Sequence, residues 1–595
     1  MPQRLSLIER LSRIPNWMVL VGFCLLFSTE VLWTIAQKSA TFDEPLNLAS
    51  GYVTLRFGDA RLIPQNLPLV KLLAAVPLLM LNIALPDPAE PWTQLGQYRF
   101  GSDLLYRYND ADTLLLLGRV AVLPVALLLG WYVFRWASEL FGRQSGLMAL
   151  LLFTIEPNVL AHSGLITTDI ATACFMFMTI YYWYQLTQTV TWTRAVLAAL
   201  TFGLCLLSKY SSLSLAAILF VLGAIVVASP QALRLDLRGF RPAVVQGHLR
   251  KGISCIVFAG MTALVTWALI WAAYGFSFET GTDPVPTYHT PWASFMAKDS
   301  PLVNLISRAL EARFLPEPYL YGLGYMVSLT GIFEGYLLGK LQPGGWWYYF
   351  LVAFAIKTPL ALLALVAWAS ATQWRRWAQD PLRAAFLVGP PLLYFGAISY
   401  SGWNIGNRHL LPVYPFLFIL AASLIPWALR QARWTKHLLV GLVAWYLLAS
   451  VWISPHYLAY FNELVGGPER GHHYLVDSNL DWGQDLKALS KYLKEHRIDR
   501  VWLGYFGTAD PGYYKIAYNY LPSYVSVHPD IIARQTLLAD RLPPLPGTVA
   551  ISATLLTGSY LRFPDPTKAQ RYYEIYRERS PIAKIGYSIF VFQLE

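Results

Sequence analysis

What most constrains this chain is the recurrence of apolar runs near the length a helix needs to cross a bilayer, about 20 residues. They fall near 17–36, 113–135, 144–161, 169–187, 194–209, 211–229, 252–275, 346–370, 384–400, 409–429 and 437–454. In lipid every backbone N–H and C=O must be satisfied inside the element, so such runs read as transmembrane helices. Composition agrees, with 55% of the 595 residues hydrophobic and 14% charged, far from soluble usage. The expected fold is a polytopic α-helical membrane protein of about eleven spans. Beyond Ser454 the apolar runs stop and charge density rises, which divides the chain into a membrane part, 1–454, and a tail, 455–595.

The net charge of +11 would suggest nucleic acid in a soluble protein, but most Lys and Arg lie in short loops between apolar runs. Arg4, Arg10 and Arg13, then Arg135 and Arg143, Arg194, the cluster from Arg234 to Lys251, the group Arg375, Arg376 and Arg383, and finally Arg430, Arg433 and Lys436 fall on one side if the runs alternate. By the positive-inside rule that side is the cytoplasm. The expectation is a multi-pass inner-membrane protein with a cytoplasmic N-terminus, an extracytoplasmic tail and no nucleic-acid partner. The first run is long enough for an uncleaved anchor. Cys24, Cys174, Cys205 and Cys255 lie in apolar runs without CxxC spacing, which leaves little case for zinc or disulfides.

Three outer segments are large. In the loop 37–112, the proline-bracketed stretch from Pro68 to Pro77 is too short to cross and predicts a helix along the interface. The loop 276–345 is rich in Pro, Tyr and Gly, and predicts short helices and loops over the membrane face. In the tail, Leu486, Leu489 and Leu493 predict a helix over Asp481 to Arg497 with Asp481 as its cap. Strand-like runs follow at Val501 to Phe506, Thr548 to Ser552 and Ser588 to Leu594, so the tail is expected to be an α/β domain.

The residues able to carry chemistry cluster at the outer ends of the runs. Asp43 and Glu44 are adjacent carboxylates at a bilayer boundary, costly to keep there without a use. In an extended segment they point opposite ways, so that one acts as a base while the other orients loops or binds a metal. Pro45 biases Glu44 away from helical geometry. Asp169 begins a later span at the same membrane level; a helix-cap role, for which Thr167 and Thr168 compete, and a chemical role can hold at once. Arg119, under two turns inside its span, must find acids, carbonyls or a phosphate, or else snorkel. Lys71 reads first as a snorkelling lysine and second as a phosphate contact. Arg408 and His409 stand as a cation pair on the outer side, against the charge trend, which suggests an anion; Lys209 breaks the trend in the same way. Asp477, Asp481 and Asp485 recur every four residues without the glycine and glutamate of a calcium loop, and read as structural. His456, His472 and His473 lack metal-ligand spacing.

Several stretches together resemble the GT-C superfamily of membrane glycosyltransferases, in particular bacterial relatives of protein O-mannosyltransferases and of the lipid A aminoarabinose transferase. They are Phe42-Asp43-Glu44-Pro45, Gly58-Asp59, Pro68 to Ala75, Gly118-Arg119-Val120, Asn158 to His162 leading to Thr167-Thr168-Asp169, Lys357-Thr358-Pro359-Leu360, and Asn404 to Pro412. Where family members often carry His-Pro-Pro-Leu, this chain has Asn66-Leu67-Pro68-Leu69. The resemblance implies transfer of a sugar from a polyprenyl-phosphate carrier to an acceptor outside the cytoplasm, with inversion at the anomeric carbon. It casts Asp43 as general base, with Asp169 shaping the same cavity and Glu44 supporting it. Lys71, Arg119 and Arg408, assisted by His409, would neutralise the departing lipid phosphate.

A phosphate is already a competent leaving group, so one base plus preorganised cations is a sufficient inventory. The acids would serve with or without a divalent cation, and the acceptor can be protein, lipid or glycan. The rival reading is a transporter or flippase of lipid-linked sugars, with the same residues lining a path; it should show paired broken helices in the two halves of the chain, and no such internal symmetry is evident in the sequence.

Overall fold

The computed structural model describes residues 14–86, 94–279, 292–296, 300–331, 334–523, 547–561 and 571–594. Arg4, Arg10 and Arg13 lie outside them. Among the described residues, seven helices are long and apolar enough to cross a membrane: Asn16–Ala36, Ala111–Phe141, Tyr210–Ala228, His248–Ala273, Pro381–Tyr400, Asn407–Ala428 and Arg433–Ile453. Two further candidates are broken, Arg143–Thr154 with Pro157–Ser163 at 65° and Tyr349–Lys357 with Leu360–Gln379 at 106°. Each break carries a proline, Pro157 and Pro359, which removes an N–H and ends the first helix. The chain is a multi-pass membrane protein, with seven to nine such helices by length and composition.

The expected eleven is therefore not reached, and the two shortfalls have a physical reason. The run at 194–209 forms a helix of only 15 residues, Trp192–Leu206. Asp169–Gln188 has 20 residues, but Thr172, Thr179, Tyr181, Tyr182, Tyr184 and Gln185 dilute its apolarity. It is buried along nearly its whole length, so neighbouring helices rather than lipid surround it. Outer helices show the converse pattern. Leu25, Leu26, Phe220, Leu249, Ile256 and Leu448 are each exposed by 60% or more, as suits a lipid-facing surface.

The stretch from Pro68 forms a helix to Ala75 and a 3-10 turn, Val76–Met80, with Val76, Leu79 and Met80 exposed and Lys71 turned inward. The segment after Phe276 contributes the helices Pro301–Glu311 and Glu317–Leu329 and a hairpin of Glu334–Leu337 with Lys340–Pro343.

Among the described residues the tail contains a five-stranded mixed sheet. Its spatial order is Tyr518–Tyr520, Val501–Gly504, Gly547–Ser552, Ile589–Leu594, Ala583–Ile585. The first two pairings are parallel and the last two antiparallel. The short strands Tyr518–Tyr520 and Ala583–Ile585 lie at its edges and carry no sequence signal of their own. The helix expected from Asp481 begins instead at Leu486 and ends at Glu495, burying Leu486, Leu489 and Leu493. Asp481 caps nothing there. It is turned toward Thr554, whose N–H donates to its Oδ2 at 2.9 Å.

Candidate active site

Four segments meet at one place: the turn after the first helix, the start of Asp169–Gln188, the loop before Tyr210, and the turn opening Asn407–Val413. Glu44 opens the helix Glu44–Phe57, with Asp43 at its N-cap position and Pro45 in its first turn. The extended conformation expected of the acid pair is thus replaced by a helix start, where proline is tolerated because its missing N–H would be unpaired anyway. The two carboxylates nevertheless diverge.

Glu44 goes inward and is fully buried. Arg119 grips it with two hydrogen bonds, Nε to Oε1 at 2.8 Å and Nη2 to Oε2 at 2.6 Å. The remaining donors of Arg119 go to the carbonyls of Ile35, Lys38 and Ser39 at 2.9–3.2 Å. Glu44 also accepts from the backbone N–H groups of Thr41 and Ile166. Gly118 permits the approach, since a Cβ there would lie 2.7 Å from Ile166 Cδ1 and 3.0 Å from Leu48 Cδ1. Burial alone would raise the carboxyl pKa of Glu44, but the Arg119 charge and hydrogen bonds outweigh it and hold the group below its ordinary range. With every nitrogen engaged, Arg119 stands where a strut stands. The expectation that it faces a phosphate is corrected: it ties the turn at residues 35–44 to the helix Ala111–Phe141. The Glu44 carboxylate is spent on Arg119, Thr41 and Ile166 and turns away from the cluster around Asp169.

Asp43 turns toward Asp169. Arg408 Nη1 lies 3.5 Å from Asp43 Oδ2 and 3.4 Å from Asp169 Oδ2. Lys209 donates to the other oxygen of Asp169 at 2.6 Å and approaches His409 Nδ1 at 3.3 Å. The side chain of Asp169 is 1% exposed, whereas that of Asp43 is 23% exposed. Of the two acids in this cluster, Asp43 is the one open to an incoming molecule. Burial raises its pKa, Arg408 opposes the shift and the neighbouring Asp169 charge adds to it, for a net rise. Burial lowers the Lys209 pKa, with Asp169 opposing. Arg408 Nε and His409 Nε2 are buried and make no hydrogen bond among the described residues.

Lys71 is buried too, and its ammonium donates to the Ile63 carbonyl at 3.2 Å. Burial without an acid partner takes its pKa down to about 7. Among the described residues it makes no ion pair or hydrogen bond with Asp43, Asp169 or Arg408, so the expected phosphate contact is not gathered into their cluster. Asn66, at the departure from the family pattern, donates to Asn47 Oδ1, and Asn47 in turn donates to the Ile166 carbonyl.

Two participants were not among the site residues expected from the sequence. Lys209 was visible only as an outer-side cation. Trp482 of the tail, whose ring lies 4.1 Å from the Arg408 guanidinium carbon, carried no sequence signal at all. Among the described residues, no group of three or more His, Cys, Asp or Glu side chains is placed to hold a metal ion.

Residues 116–237, the stretch holding Arg119, Asp169 and Lys209, match the family model described as dolichyl-phosphate-mannose-protein mannosyltransferase. No curated protein matches the chain. Among solved structures, the chain is similar to ArnT from Cupriavidus metallidurans in the apo state, at 12% identity and a TM-score of 0.45 over 97% of each chain. ArnT from the same organism bound to undecaprenyl phosphate gives 11% and 0.44, again over 97% of each. The archaeal oligosaccharyltransferase AglB from Archaeoglobus fulgidus, in complex with an inhibitory peptide and a dolichol-phosphate, gives 11% and 0.39 over 81% of this chain and 59% of that one. The family match is confined to residues 116–237 of the 595, and over that stretch it agrees with the resemblance to protein O-mannosyltransferases read from the motifs.

Proposed function

We infer that the protein is a glycosyltransferase that moves a sugar from a polyprenyl-phosphate carrier to an acceptor at the extracytoplasmic face of the inner membrane. The observation that carries this reading is the single Arg408 nitrogen shared by Asp43 and Asp169, with Lys209 on the far side of Asp169. One accessible carboxylate beside two held cations is the inventory that displacement of a phosphate requires.

In the reaction, Asp43 removes the proton of the acceptor hydroxyl as its oxygen attacks the anomeric carbon. The bond from that carbon to the phosphate oxygen breaks, and the phosphate leaves with the electron pair. Attack opposite the leaving group inverts the anomeric centre. Arg408 and Lys209, with His409 beside them, meet the developing charge, and Asp169 holds the two cations in place. Preorganised charge of this kind needs no reorganisation during the reaction. Asp43 with a raised pKa is a better base than an ordinary carboxylate near neutral pH. Glu44 and Arg119 brace the turn that presents Asp43. The loop cations set the orientation, with the N-terminus cytoplasmic and the tail, 455–595, a domain on the outer side.

The test is transfer of label from a panel of radiolabelled polyprenyl-phosphate sugars into envelope extract by the purified protein. A labelled product that disappears in Asp43→Asn is the expected result. Full activity in that variant would overturn the assignment. Movement of the lipid-linked sugar across proteoliposomes without any product would favour a flippase.

A further inference from the structure

The Arg408 guanidinium is held in an unusual way. Its two contacts to carboxylates, at 3.4 and 3.5 Å, are longer than the 2.7–2.9 Å usual for charge-assisted hydrogen bonds, and its Nε has no partner among the described residues. Hydrogen bonding alone does not fix it. What lies against it closely is the indole of Trp482, 2% exposed, at 4.1 Å from the ring centroid. A desolvated guanidinium over a tryptophan face is among the stronger cation–π arrangements.

The same residue also governs the position of Asp43. The Trp482 carbonyl accepts from the backbone N–H of Phe42 at 2.8 Å, one residue before the acid. Its own N–H is fixed by Gln484 Oε1 at 2.8 Å. The segment that follows runs alongside residues 38–42. Ser39 N–H donates to the Gln484 carbonyl at 3.0 Å and its Oγ to the Gly483 carbonyl at 3.0 Å, while Leu486 N–H donates back to Ser39 Oγ at 3.1 Å. Lys38 meets Asp485 at 2.7 Å, and Thr508 Oγ1 donates to the Phe42 carbonyl at 2.7 Å. Gly483 makes the turn, at φ +89, where an added Cβ would come within 2.9 Å of Gly507 Cα.

We propose that Trp482 is a positioning residue of the transfer site: its ring holds Arg408 and its backbone holds the Asp43 turn, so one tail residue sets the distance between base and cation. This deepens the glycosyltransferase reading and rests on it. The tail is then a working wall of the site rather than an appendage. The charged and titratable groups facing this pair are Asp169, Lys209, His162 and His409 from the membrane part, and Asp477 from the tail.

The experiment compares kcat/KM against pH for the purified full-length protein, Trp482→Leu, Trp482→Phe, Arg408→Ala and the double variant Trp482→Leu/Arg408→Ala. Trp482→Leu is expected to lose about thirty-fold, the equivalent of about 2 kcal/mol for a desolvated cation–π contact. It is also expected to move the acid limb upward, because Asp43 then feels less of the Arg408 charge. Trp482→Phe should recover most of the rate with the limb near its original place. In the Arg408→Ala background Trp482→Leu should cost little more, since a residue acting through another shows full coupling in a double-mutant cycle. Full activity in Trp482→Leu would overturn the proposal. So would a loss with an unmoved limb that recurs undiminished on Arg408→Ala, the signature of a purely structural tryptophan. If the unsubstituted protein transfers no sugar at all, every variant is equally silent; that outcome strikes the functional reading itself and takes the inference with it.

Discussion

Asp43 and Asp169, far apart in the chain, address the same nitrogen of Arg408, from 3.5 and 3.4 Å. The sharing is unequal. Asp169 has Lys209 as well, at 2.6 Å, and is sealed, whereas Asp43 has no second ion-pair partner among the described residues and keeps an open edge. An acid with two cations holds them, while an acid with a fraction of one remains available for a proton.

Asp43→Asn should therefore lower kcat by about 10²–10⁴-fold, the usual weight of a general base, with little change in thermal stability. Because the folded environment raises the Asp43 pKa, the rate of the unsubstituted protein should rise with pH through a limb lying above the ordinary carboxylate value. Initial rates of labelled sugar transfer across pH 4 to 8 check both points. A limb at or below the ordinary value would contradict the assigned base.

Glu44 and Arg119 should behave differently. Breaking a buried ion pair by removing one partner leaves an uncompensated charge and typically costs about 3–5 kcal/mol. Arg119→Leu or Glu44→Leu is expected to lower the unfolding temperature sharply and reduce yield. Replacing both together should recover part of the loss, because no charge is left stranded. Thermal unfolding in detergent measures this; a stable Arg119→Leu that merely binds donor poorly would return Arg119 to the phosphate.

Lys209→Met should weaken transfer by about ten-fold or more while the fold is retained, since the Lys209 side chain is 19% exposed and its loss leaves Asp169 still facing Arg408. The effect should combine non-additively with Arg408→Ala, because both cations are organised by one acid. Additive losses in kcat/KM would place the two cations in separate sites.

The tail should show an acid-favoured stability. Burial raises Asp481 to about 7 and Asp477 to about 6. Both acids are then protonated in the folded state at pH values where the unfolded chain has already released its protons. Their stabilising contribution is full below the unfolded carboxylate pKa, and it is lost as pH rises through 6 to 7. Asp481→Asn keeps an oxygen for the Thr554 N–H and removes the ionisation. It should flatten the fall in unfolding free energy between pH 4 and 8, a difference on the order of 2–4 kcal/mol, seen as a smaller drop in unfolding temperature. An unchanged pH profile in the variant would show that Asp481 does not titrate in this range.

By itself the sequence determined the solvent of the chain and the placing of its chemistry. Hydrophobic runs of bilayer length leave no choice but helices, because lipid offers backbone groups no partners. Acids and cations at the ends of those runs, Asp43, Asp169 and Arg408 among them, stand out because charge is costly there. Local patterns also carried much of the tail, since Leu486, Leu489 and Leu493 specify a helix face wherever that helix lies.

Only the tertiary structure decided which charges belong together. Arg119 and Arg408 look equally suited to a phosphate in one dimension, yet Arg119 closes on Glu44 and three carbonyls while Arg408 stays partly unmatched. Lys209 joins Asp169, and Trp482 reaches across from the tail to Arg408. The reason is that a buried charge is defined by its partners, and partners brought together by packing leave no periodicity or spacing in the sequence.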